Sequence, residues 1–460
     1  QSPGICAVML RRVLRQGAAI VCLAMASTAV SAETIANALA DAYNNSGLLA
    51  QNRAVLRAAD EDVAQAASRL LPVVSWAAAA TRSFPRAVGA DVITGSLSLS
   101  ASLTLYDAGA NQLAIAAQKQ LVLGTRESLR DVEQQVLFRA VQAYMSVRST
   151  AEFISLRQNN LRVLQQELRA AQDRFDVGEV TRTDVALAQA SVASAQSLLS
   201  GAQGDARQAA AEFVAAVGRK PGDLAAVAPA PVSKSESEAA ALAVRNHPSV
   251  LQAQYSVAAN ELAIERAKTA YKPTVSLGAD IGVDFNGNAG RSVDLSVGGP
   301  IYSGGALPSQ VRQAMATRDQ ARAALHLASL GVQQSVSNAY ASLQVARASL
   351  SSTDEQVRAA RVAFEGIREE ATLGARTTLD VLNAEQNLLS ARANVITAQE
   401  GEVNASYAVL SAMGLLTAEH LNLNVQQYDP AAYYNLVKDA PAALSEQGQA
   451  LDRVLRAIGQ

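Results

Sequence analysis

The sequence repeats itself at a constant separation. The motif DVGEVTRTDV at 176–185 returns as TLGARTTLDV at 372–381, and LYDAGA at 105–110 returns as IYSGGA at 301–306. Because both pairs have the same separation, a whole unit has been duplicated rather than one short motif. A chain made of two such units must build one supersecondary structure twice and pack the two copies together.

The separation becomes slightly larger further upstream, where PVVS at 72–75 matches PTVS at 273–276. A small length difference between the copies accounts for this change. The duplication predicts a first repeat over residues 33–225, a second repeat over 226–420 and a C-terminal tail over 421–460.

The segment at 1–32 differs from both repeats. Three arginines at 11–15 precede an apolar run at 17–26, and small residues follow at 30–32. This order is typical of a cleaved secretory signal peptide, with residues 1–8 as an upstream extension, and the apolar run is too short for a membrane anchor. We expect the mature protein to begin near Glu33 and to act outside the cytoplasm.

Both cysteines, Cys6 and Cys22, lie in this segment. The mature chain is therefore expected to contain neither a disulfide nor a thiolate metal site. Cys22 directly follows Val21 rather than a small residue, which argues against a lipoprotein.

Proline is absent from 86–220 and from 309–429, and its absence permits very long helices in both repeats. Apolar residues at alternating spacings of three and four over 161–175 are typical of a coiled-coil seam. A helix over 110–175 would be roughly 100 Å long at about 1.5 Å per residue. The predicted helices span residues 35–70, 108–176, 181–217, 235–271, 306–372 and 377–413.

A strict alternation of apolar and polar residues replaces this periodicity in front of the long helices. SLSLSASLTL at 96–105 has Leu and Ala on one face and Ser and Thr on the other. TVSLGADIGVDF at 274–285 and RSVDLSVGG at 291–299 alternate in the same way around an Asn- and Gly-rich turn. We predict strands at 73–83, 95–106, 274–285 and 291–302.

Four such strands have the length and pattern of an outer-membrane β-barrel, whereas a soluble antiparallel sheet with one wet face is the alternative. The export signal and a polar face of Ser and Gly, rather than Lys and Glu, favour the barrel. Four strands cannot close a barrel alone, and lipid does not tolerate an open sheet edge. Several chains must therefore share one barrel.

The duplicated unit, its LYDAG and IYSGG motifs and its VGEVTRTDV and LGARTTLDV motifs resemble the TolC family over almost the whole mature chain. The resemblance implies a mainly α-helical chain with a β-barrel part. Coiled-coil hairpins would form a periplasmic α-barrel, and four transmembrane strands per chain would join a trimeric, twelve-stranded barrel in outer-membrane lipid. It also implies a periplasmic membrane-fusion adaptor and an inner-membrane ABC exporter as partners of the homotrimer.

The repeated motif itself contains the residues of a helix-turn-helix. Glycine suits the end of one helix, threonine suits the N-cap of the next, and aspartate three residues later completes a T-x-x-D capping box. These residues are Gly178, Thr181 and Asp184 in the first repeat and Gly374, Thr377 and Asp380 in the second.

The resemblance assigns these turns to the tips that close the periplasmic entrance. It implies that Arg376, which aligns with Val180, pairs with Thr183 and Asp184 of a neighbouring first-repeat tip. It further implies that Asp380 projects into the pore as one of three symmetry-related carboxylates.

Two positions near the tips depart from the family pattern. Asn383 stands where some members have a second acid, so the predicted ring is less negative. Ala371 stands where the family has a tyrosine that links the gate, so the closed state is expected to have one constraint fewer.

No combination of residues predicts an enzyme, a metal site or a cofactor. His247, His326 and His420 occur at unrelated positions, the first in a helix-starting turn and the others as solvated helix residues in our interpretation. The formal net charge of −2 offers no reason to expect a nucleic acid partner. Trp76 fits either an aromatic girdle at the membrane boundary or a buried packing position.

These inferences lead to a passive exit duct that carries a secreted protein, since VQQYDPAAYYNLVKDAP at 425–441 resembles the type I secretion subgroup. One alternative keeps the fold and changes the cargo to small molecules or drugs, with a proton-driven pump as partner. Another is a periplasmic coiled-coil adaptor without a pore, which explains the helices but not the four strands.

Overall fold

The computed structural model describes residues 33–82, 93–439 and 445–457. The predicted signal peptide at 1–32, with both cysteines, lies outside these residues. In order, the described chain forms α1 (Ile35–Asn45), α2 (Gly47–Ser68), β1 (Val73–Arg82), β2 (Ile93–Tyr106), α3 (Ala110–Asp176), α4 (Arg182–Val217), α5 (Glu236–Asn246), α6 (Pro248–Thr269), β3 (Thr274–Asp284), β4 (Ala289–Gly298), α7 (Ala306–Thr372), α8 (Thr378–Ala412), α9 (Pro430–Val437) and α10 (Glu446–Ala457).

The two repeats fold into the same elements at equivalent positions. The boundaries of α1 and α2 precede those of α5 and α6 by the separation that relates PVVS to PTVS. The boundaries of α3 precede those of α7 by the separation of the two tip motifs, and the start of α4 precedes that of α8 by the same amount. Both separations found in the sequence motifs therefore hold for the helix boundaries as well.

Each helix predicted in front of a strand hairpin is in fact two helices. The predicted helix over 35–70 is interrupted at Ser46, whose hydroxyl accepts a hydrogen bond from the Leu49 amide at 3.2 Å. The predicted helix over 235–271 is interrupted at His247, whose ring nitrogen Nδ1 accepts from the Ser249 amide at 3.3 Å. Pro248 follows, and proline begins a helix more easily than it continues one because it has no amide hydrogen.

The four strands form one antiparallel sheet in the order β1-β2-β3-β4, so β1 and β4 are its edges. β2 of the first repeat pairs with β3 of the second, and this pairing joins the two hairpins. Trp76 lies opposite Leu99, and Leu99 lies opposite Ile281, whereas Ser75 lies opposite Ser100. The register thus gives the sheet one apolar face and one polar face, as the alternation predicted.

The end of β4 and the position of Trp76 differ from two of the sequence predictions. β4 ends at Gly298 rather than at 302, and Tyr302 lies beyond it with 89% of its surface exposed. Trp76 is 75% exposed on the apolar face of β1, so a buried packing position within this chain is wrong. The girdle stays a prediction.

The largest hydrophobic core lies where the middle of α3 meets both repeats. It combines Leu137 and Tyr144 of α3 with Phe213 of α4 and with Tyr407 and Leu410 of α8. The Tyr144 hydroxyl lies 2.7 Å from the carbonyl oxygen of Glu33, which ties the start of the first repeat to this core. The two repeats are therefore packed into one body rather than joined by a linker.

The C-terminal tail packs against α2 through a set of tyrosines. Arg53 of α2 lies between the rings of Tyr43 and Tyr428, at 5.1 and 5.2 Å from their centroids. The Tyr433 hydroxyl donates to a carboxylate oxygen of Glu61 at 2.6 Å. The YDPAAYY motif at 428–434 therefore has a structural role in holding α9 on α2.

In the part of the chain that the structure describes, none of the helices is both long enough and apolar enough to cross a membrane.

Candidate functional site at the helical tips

Each long helical hairpin ends in a tight turn built on one glycine. Gly178 has a φ of 80° and Gly374 a φ of 77°, in the left-handed region that glycine adopts without strain. The Glu179 amide donates to the Arg174 carbonyl and the Ala375 amide donates to the Glu370 carbonyl, both at 2.9 Å. These bonds complete a Schellman-type end for α3 and for α7.

Both following helices begin with a complete capping box. At the first tip the Asp184 amide donates to Thr181 Oγ1 at 3.3 Å, and the Thr181 amide donates to Asp184 Oδ2 at 2.9 Å. At the second tip the corresponding distances between Thr377 and Asp380 are 3.2 and 3.0 Å. The same turn is therefore built twice from the same residue types.

The capping threonines hold both carboxylates in the charged form. Hydrogen bonds from the Thr181 hydroxyl and amide lower the pKa of Asp184, and bonds from the Thr377 amide and hydroxyl lower the pKa of Asp380. Each tip therefore keeps its negative charge to a lower pH than a carboxyl group without these hydrogen bonds.

The tips differ in one ion pair. Arg376 Nε lies 2.8 Å from Glu370 Oε2, and this bond raises the pKa of the arginine. The equivalent positions of the first tip are Val180 and Arg174, so both partners are specific to the second repeat. Within this single chain Arg376 is thus oriented by Glu370, a residue that the sequence reasoning missed. The sequence alone could have indicated this pair. Arg376 and Glu370 both differ from their counterparts Val180 and Arg174, which lie earlier by the separation of the tip motifs.

Two polar contacts join the helical hairpin of α7 and α8 to α3, further along these helices than the tip turns. Asn160 donates to Glu385 Oε1 at 3.0 Å in a buried position, and Arg368 Nε lies 3.3 Å from Glu167 Oε1. Glu167 has only 13% of its side-chain surface exposed. These contacts join α3 of the first repeat to α7 and α8 of the second, and the sequence reasoning did not identify them.

The remaining predicted tip residues occupy separate positions. Thr183 and Asn383 are exposed, the latter at the edge of a 300 Å³ groove between α4 and α8. Ala371 is 7% exposed and packs against Val381 in a small core with Phe364. A tyrosine at position 371 would not fit this packed position without rearrangement.

The histidines show no common site. His247 caps α6, and burial lowers the pKa of its ring below the usual value. His326 is an exposed residue of α7, as predicted, but His420 lies in an exposed turn after α8 rather than in a helix. Within the described residues, no cluster of three or more His, Cys, Asp or Glu side chains is placed to hold a metal ion.

The family model of the outer membrane efflux protein matches this chain twice, over residues 38–219 and 240–415. Each match lies within one of the two repeats. The two matches together cover well over half of the chain.

Individual relatives extend along most of the sequence. The outer membrane efflux protein BepC of Brucella suis biovar 1 (strain 1330) is 36% identical over 419 residues, which cover 89% of this chain and 92% of BepC. The alkaline protease secretion protein AprF of Pseudomonas aeruginosa is 25% identical over 349 residues, which cover 72% of each chain.

The fold is shared with a solved outer membrane channel. The structure of CmeC from Campylobacter jejuni superposes with a TM-score of 0.74 at 16% identity, over 89% of this chain and 90% of that one. These findings confirm the resemblance and the mainly helical fold with a β-barrel part. The chain therefore belongs to the outer membrane efflux protein family, as a TolC-like channel protein of the outer membrane that extends into the periplasm.

Proposed function

We propose that this chain is the passive exit duct of a tripartite export system and works as a homotrimer with a periplasmic membrane-fusion adaptor and an inner-membrane ABC exporter. One observation carries the proposal: an amphipathic four-stranded sheet with two edges continues into helices of 67 residues. The two faces suit lipid and water, and the edges require strands from neighbouring copies. Each long helix is roughly 100 Å, which suits a tunnel across the periplasm. We assign no catalytic role to the chain, and the exporter supplies the energy.

The helical tips form the gate in this proposal. Arg376 and the Thr183–Asp184 pair of a neighbouring first-repeat tip hold the entrance closed, and Asp380 lines it. Glu370 competes for the same guanidinium, because it already binds Arg376 within the chain at 2.8 Å. Docking of the adaptor would then shift the helical hairpin of α7 and α8 from the closed arrangement to an open one.

Conductance in planar lipid bilayers tests the gate. Arg376→Ala and Asp184→Asn are expected to raise the small conductance of the closed channel several-fold, because each removes one side of the intermolecular link. Asn at 184 keeps an acceptor oxygen for the capping box, so the turn is preserved. Arg182→Ala removes an exposed arginine of the first tip and serves as the control. If neither gate variant raises the conductance above that of the control, the gate assignment is wrong.

We propose a secreted protein as cargo, and the similarity to AprF, a protein named for protease secretion, supports this class. Small-molecule efflux is the second candidate, because the 36% identical relative BepC carries the name of an efflux protein. The YDPAAYY motif has less weight for this choice than its resemblance suggested, since Tyr428 and Tyr433 have structural contacts with α2 and its neighbour Tyr43.

Deletion of the gene separates the two cargo classes. Loss of one or a few proteins from the culture medium, with unchanged susceptibility to drugs and detergents, is expected for secretion. Increased susceptibility with an unchanged set of secreted proteins would show that the cargo is small molecules and not a secreted protein. Recovery of the protein in the soluble periplasmic fraction, without heat-modifiable migration on gels, would contradict the duct itself and favour an adaptor.

A further inference from the structure

The charged residues of the four described strands are aspartates and arginines, and the two types lie on opposite faces of the sheet. The aspartates are on the polar face, and their partners on the neighbouring strands are serines and a glycine. A Cβ atom at Gly278 would lie only 2.6 Å from Asp294 Oδ1, because this carboxylate covers the glycine. The aspartates of the strands are Asp280, Asp284 and Asp294.

The arginines of the strands lie on the apolar face instead. Arg82 is opposite Ile93 and shares its face of β1 with Trp76. Arg291 is opposite Ile281 in the ladder of β3 and β4. Within the described strands, the apolar face carries neither aspartate nor glutamate, so the strands supply no negative charge on the side where both guanidinium groups lie.

Both arginines are near the end of the sheet that points away from the long helices. Arg82 is the last residue of β1, which follows α2, and Arg291 is the third residue of β4, which leads to α7. Since the helices extend into the periplasm in the proposed duct, this end of the sheet faces the outer surface of the membrane.

The cross-strand row that contains Arg291 and Ile281 also contains Leu99 of β2. Strands of a barrel are tilted by about 35–45°, so depth in the membrane follows the distance from a strand's own end and not the cross-strand row. Leu99 lies midway along β2 and is therefore deeper in the membrane than Arg291.

The apolar face between the arginines and the helices has the composition of a lipid-facing band. Its residues on the two edge strands are Val74, Trp76, Ala78 and Ala80 of β1 and Val293, Leu295 and Val297 of β4. Phe285, whose ring lies over Gly95, is at the outer end of the same face, and Trp76 is near the helical end. Aromatic residues at both limits of an apolar band are typical of a barrel in an outer membrane.

We propose that Arg82 and Arg291 bind the phosphate groups of lipid in the outer leaflet, with the acyl chains of that lipid lying on the apolar face beside them. This inference rests on the proposed function, in which the apolar face meets the bilayer. A guanidinium group binds phosphate through two parallel hydrogen bonds. Its aliphatic stem lies along apolar surface while its charged end stays at the level of the head groups.

The positions of the two arginines favour a lipid with two phosphate groups. β1 and β4 are the edges of the sheet, and neighbouring copies adjoin at these edges in the proposed barrel. Arg82 of one copy and Arg291 of the next would then lie at the same outer rim, on the same face. Lipid A, the anchor of lipopolysaccharide, has two phosphates and several acyl chains and therefore matches both the charge and the apolar surface.

Binding of a fluorescent lipid A bisphosphate to the detergent-solubilised full-length oligomer tests the site. Arg82→Gln with Arg291→Gln is expected to weaken this binding roughly tenfold, and the wild-type protein should bind monophosphoryl lipid A several-fold more weakly than the bisphosphate. Arg82→Lys with Arg291→Lys should keep part of the affinity, because it retains the charge and loses only the two-bond geometry. Arg312→Gln with Arg361→Gln removes the same charge from exposed positions of α7 and is the matched control.

Inorganic phosphate identifies the source of the bound anion. Because it has no acyl chains to contact the apolar face, an excess of inorganic phosphate should leave the lipid bound. Displacement of the lipid by this excess would show a site for free phosphate and overturn the lipid assignment.

The remaining outcomes separate this inference from the proposed function. Equal lipid binding by the wild-type protein and the double glutamine variant, with unchanged conductance in planar bilayers, would overturn the lipid site and leave the duct standing. Equal weakening in the α7 control would show that net charge attracts the lipid, and would also overturn the site. A wild-type protein that forms no conducting oligomer would contradict the duct, and the lipid site with it.

Discussion

Asp380 has an observed role in capping α8 and a proposed role at the entrance, and a single substitution can separate the two. Its Oδ2 accepts from the Thr377 amide and hydroxyl at 3.0 and 2.8 Å, which completes the start of α8. Its charge, which three copies would present at one entrance, favours cations in a narrow opening of low dielectric. Removing the charge while keeping an acceptor oxygen should therefore change selectivity without unfolding the tip.

Asp380→Asn is expected to lower the cation-to-anion permeability ratio several-fold, measured from reversal potentials in salt gradients. The wild-type ratio should stay constant from pH 7 to pH 5 because the capping bonds lower the pKa of Asp380. Asp354→Asn removes an exposed carboxylate far along α7 and is the control. Equal changes in both variants would show that bulk charge, rather than the tip, sets selectivity.

Asp60 of α2 is a buried carboxylate with a raised pKa. It is fully buried on α2, and neither carboxylate oxygen has a hydrogen-bond partner among the described residues. Burial raises its pKa from 3.8 to about 6, Arg126 of α3 opposes this shift, and the neighbouring Glu61 adds to it. Since the folded pKa exceeds the ordinary value, Asp60 favours the folded state most below pH 4, and this contribution is lost as the pH rises through 6.

Asp60→Asn is expected to stabilise the protein at pH 8 by roughly 2 kcal/mol and to have little effect at pH 4, because the amide resembles the protonated acid. Thermal unfolding in detergent, followed by circular dichroism at both pH values, measures the difference. Asp62→Asn changes an exposed carboxylate two residues away and should show no such pH dependence. A stabilisation that is equal at both pH values would contradict the explanation.

At the scale of elements, the periodicity of the sequence predicted the long helices and the strands because each has a long uninterrupted pattern. The two capping boxes were predictable for a similar reason, since they depend on residues three positions apart. The break at Ser46 was missed because α1 and α2 adjoin without a loop. The Asn160–Glu385 and Arg368–Glu167 contacts were also missed, because they join residues of different repeats and no local pattern marks them.

The packing of α9 on α2 gives a prediction at this scale. Tyr433→Phe removes the bond to Glu61, leaves that carboxylate without its phenol donor, and should cost about 1 kcal/mol. Faster tryptic cleavage after Lys438, by roughly fivefold, is expected from the looser tail. Tyr434→Phe keeps the ring beside Arg126 and should cleave at the wild-type rate. Equal acceleration in both variants would argue that the ring packing, not the Glu61 bond, holds the helix.

At the scale of the whole molecule, the duplication explains why the sheet of a single chain keeps two unpaired edges. Each repeat contributes a hairpin of two strands, and the internal pairing of β2 with β3 uses only one edge of each hairpin. The free edges, the exposed apolar face of the sheet and the exposed apolar residues of α7 all remain to be covered. Lipid can cover the face, but only further strands can satisfy the backbone of the edges.

We therefore expect an added positive charge to have opposite effects on assembly at the two faces of the sheet. Leu99→Arg places a guanidinium on the apolar face, between Trp76 and Ile281, and should cost about 2–4 kcal/mol per copy if this face meets the bilayer core. Ser98→Arg places it one residue away on the polar face, opposite Ala77 and Gly282, where water and small neighbours accommodate it. We expect Leu99→Arg to lose heat-modifiable oligomers from the outer-membrane fraction, and Ser98→Arg to keep them with a reduced conductance. If Leu99→Arg assembled as well as Ser98→Arg, the apolar face would not meet lipid, and the transmembrane assignment of the sheet would fail.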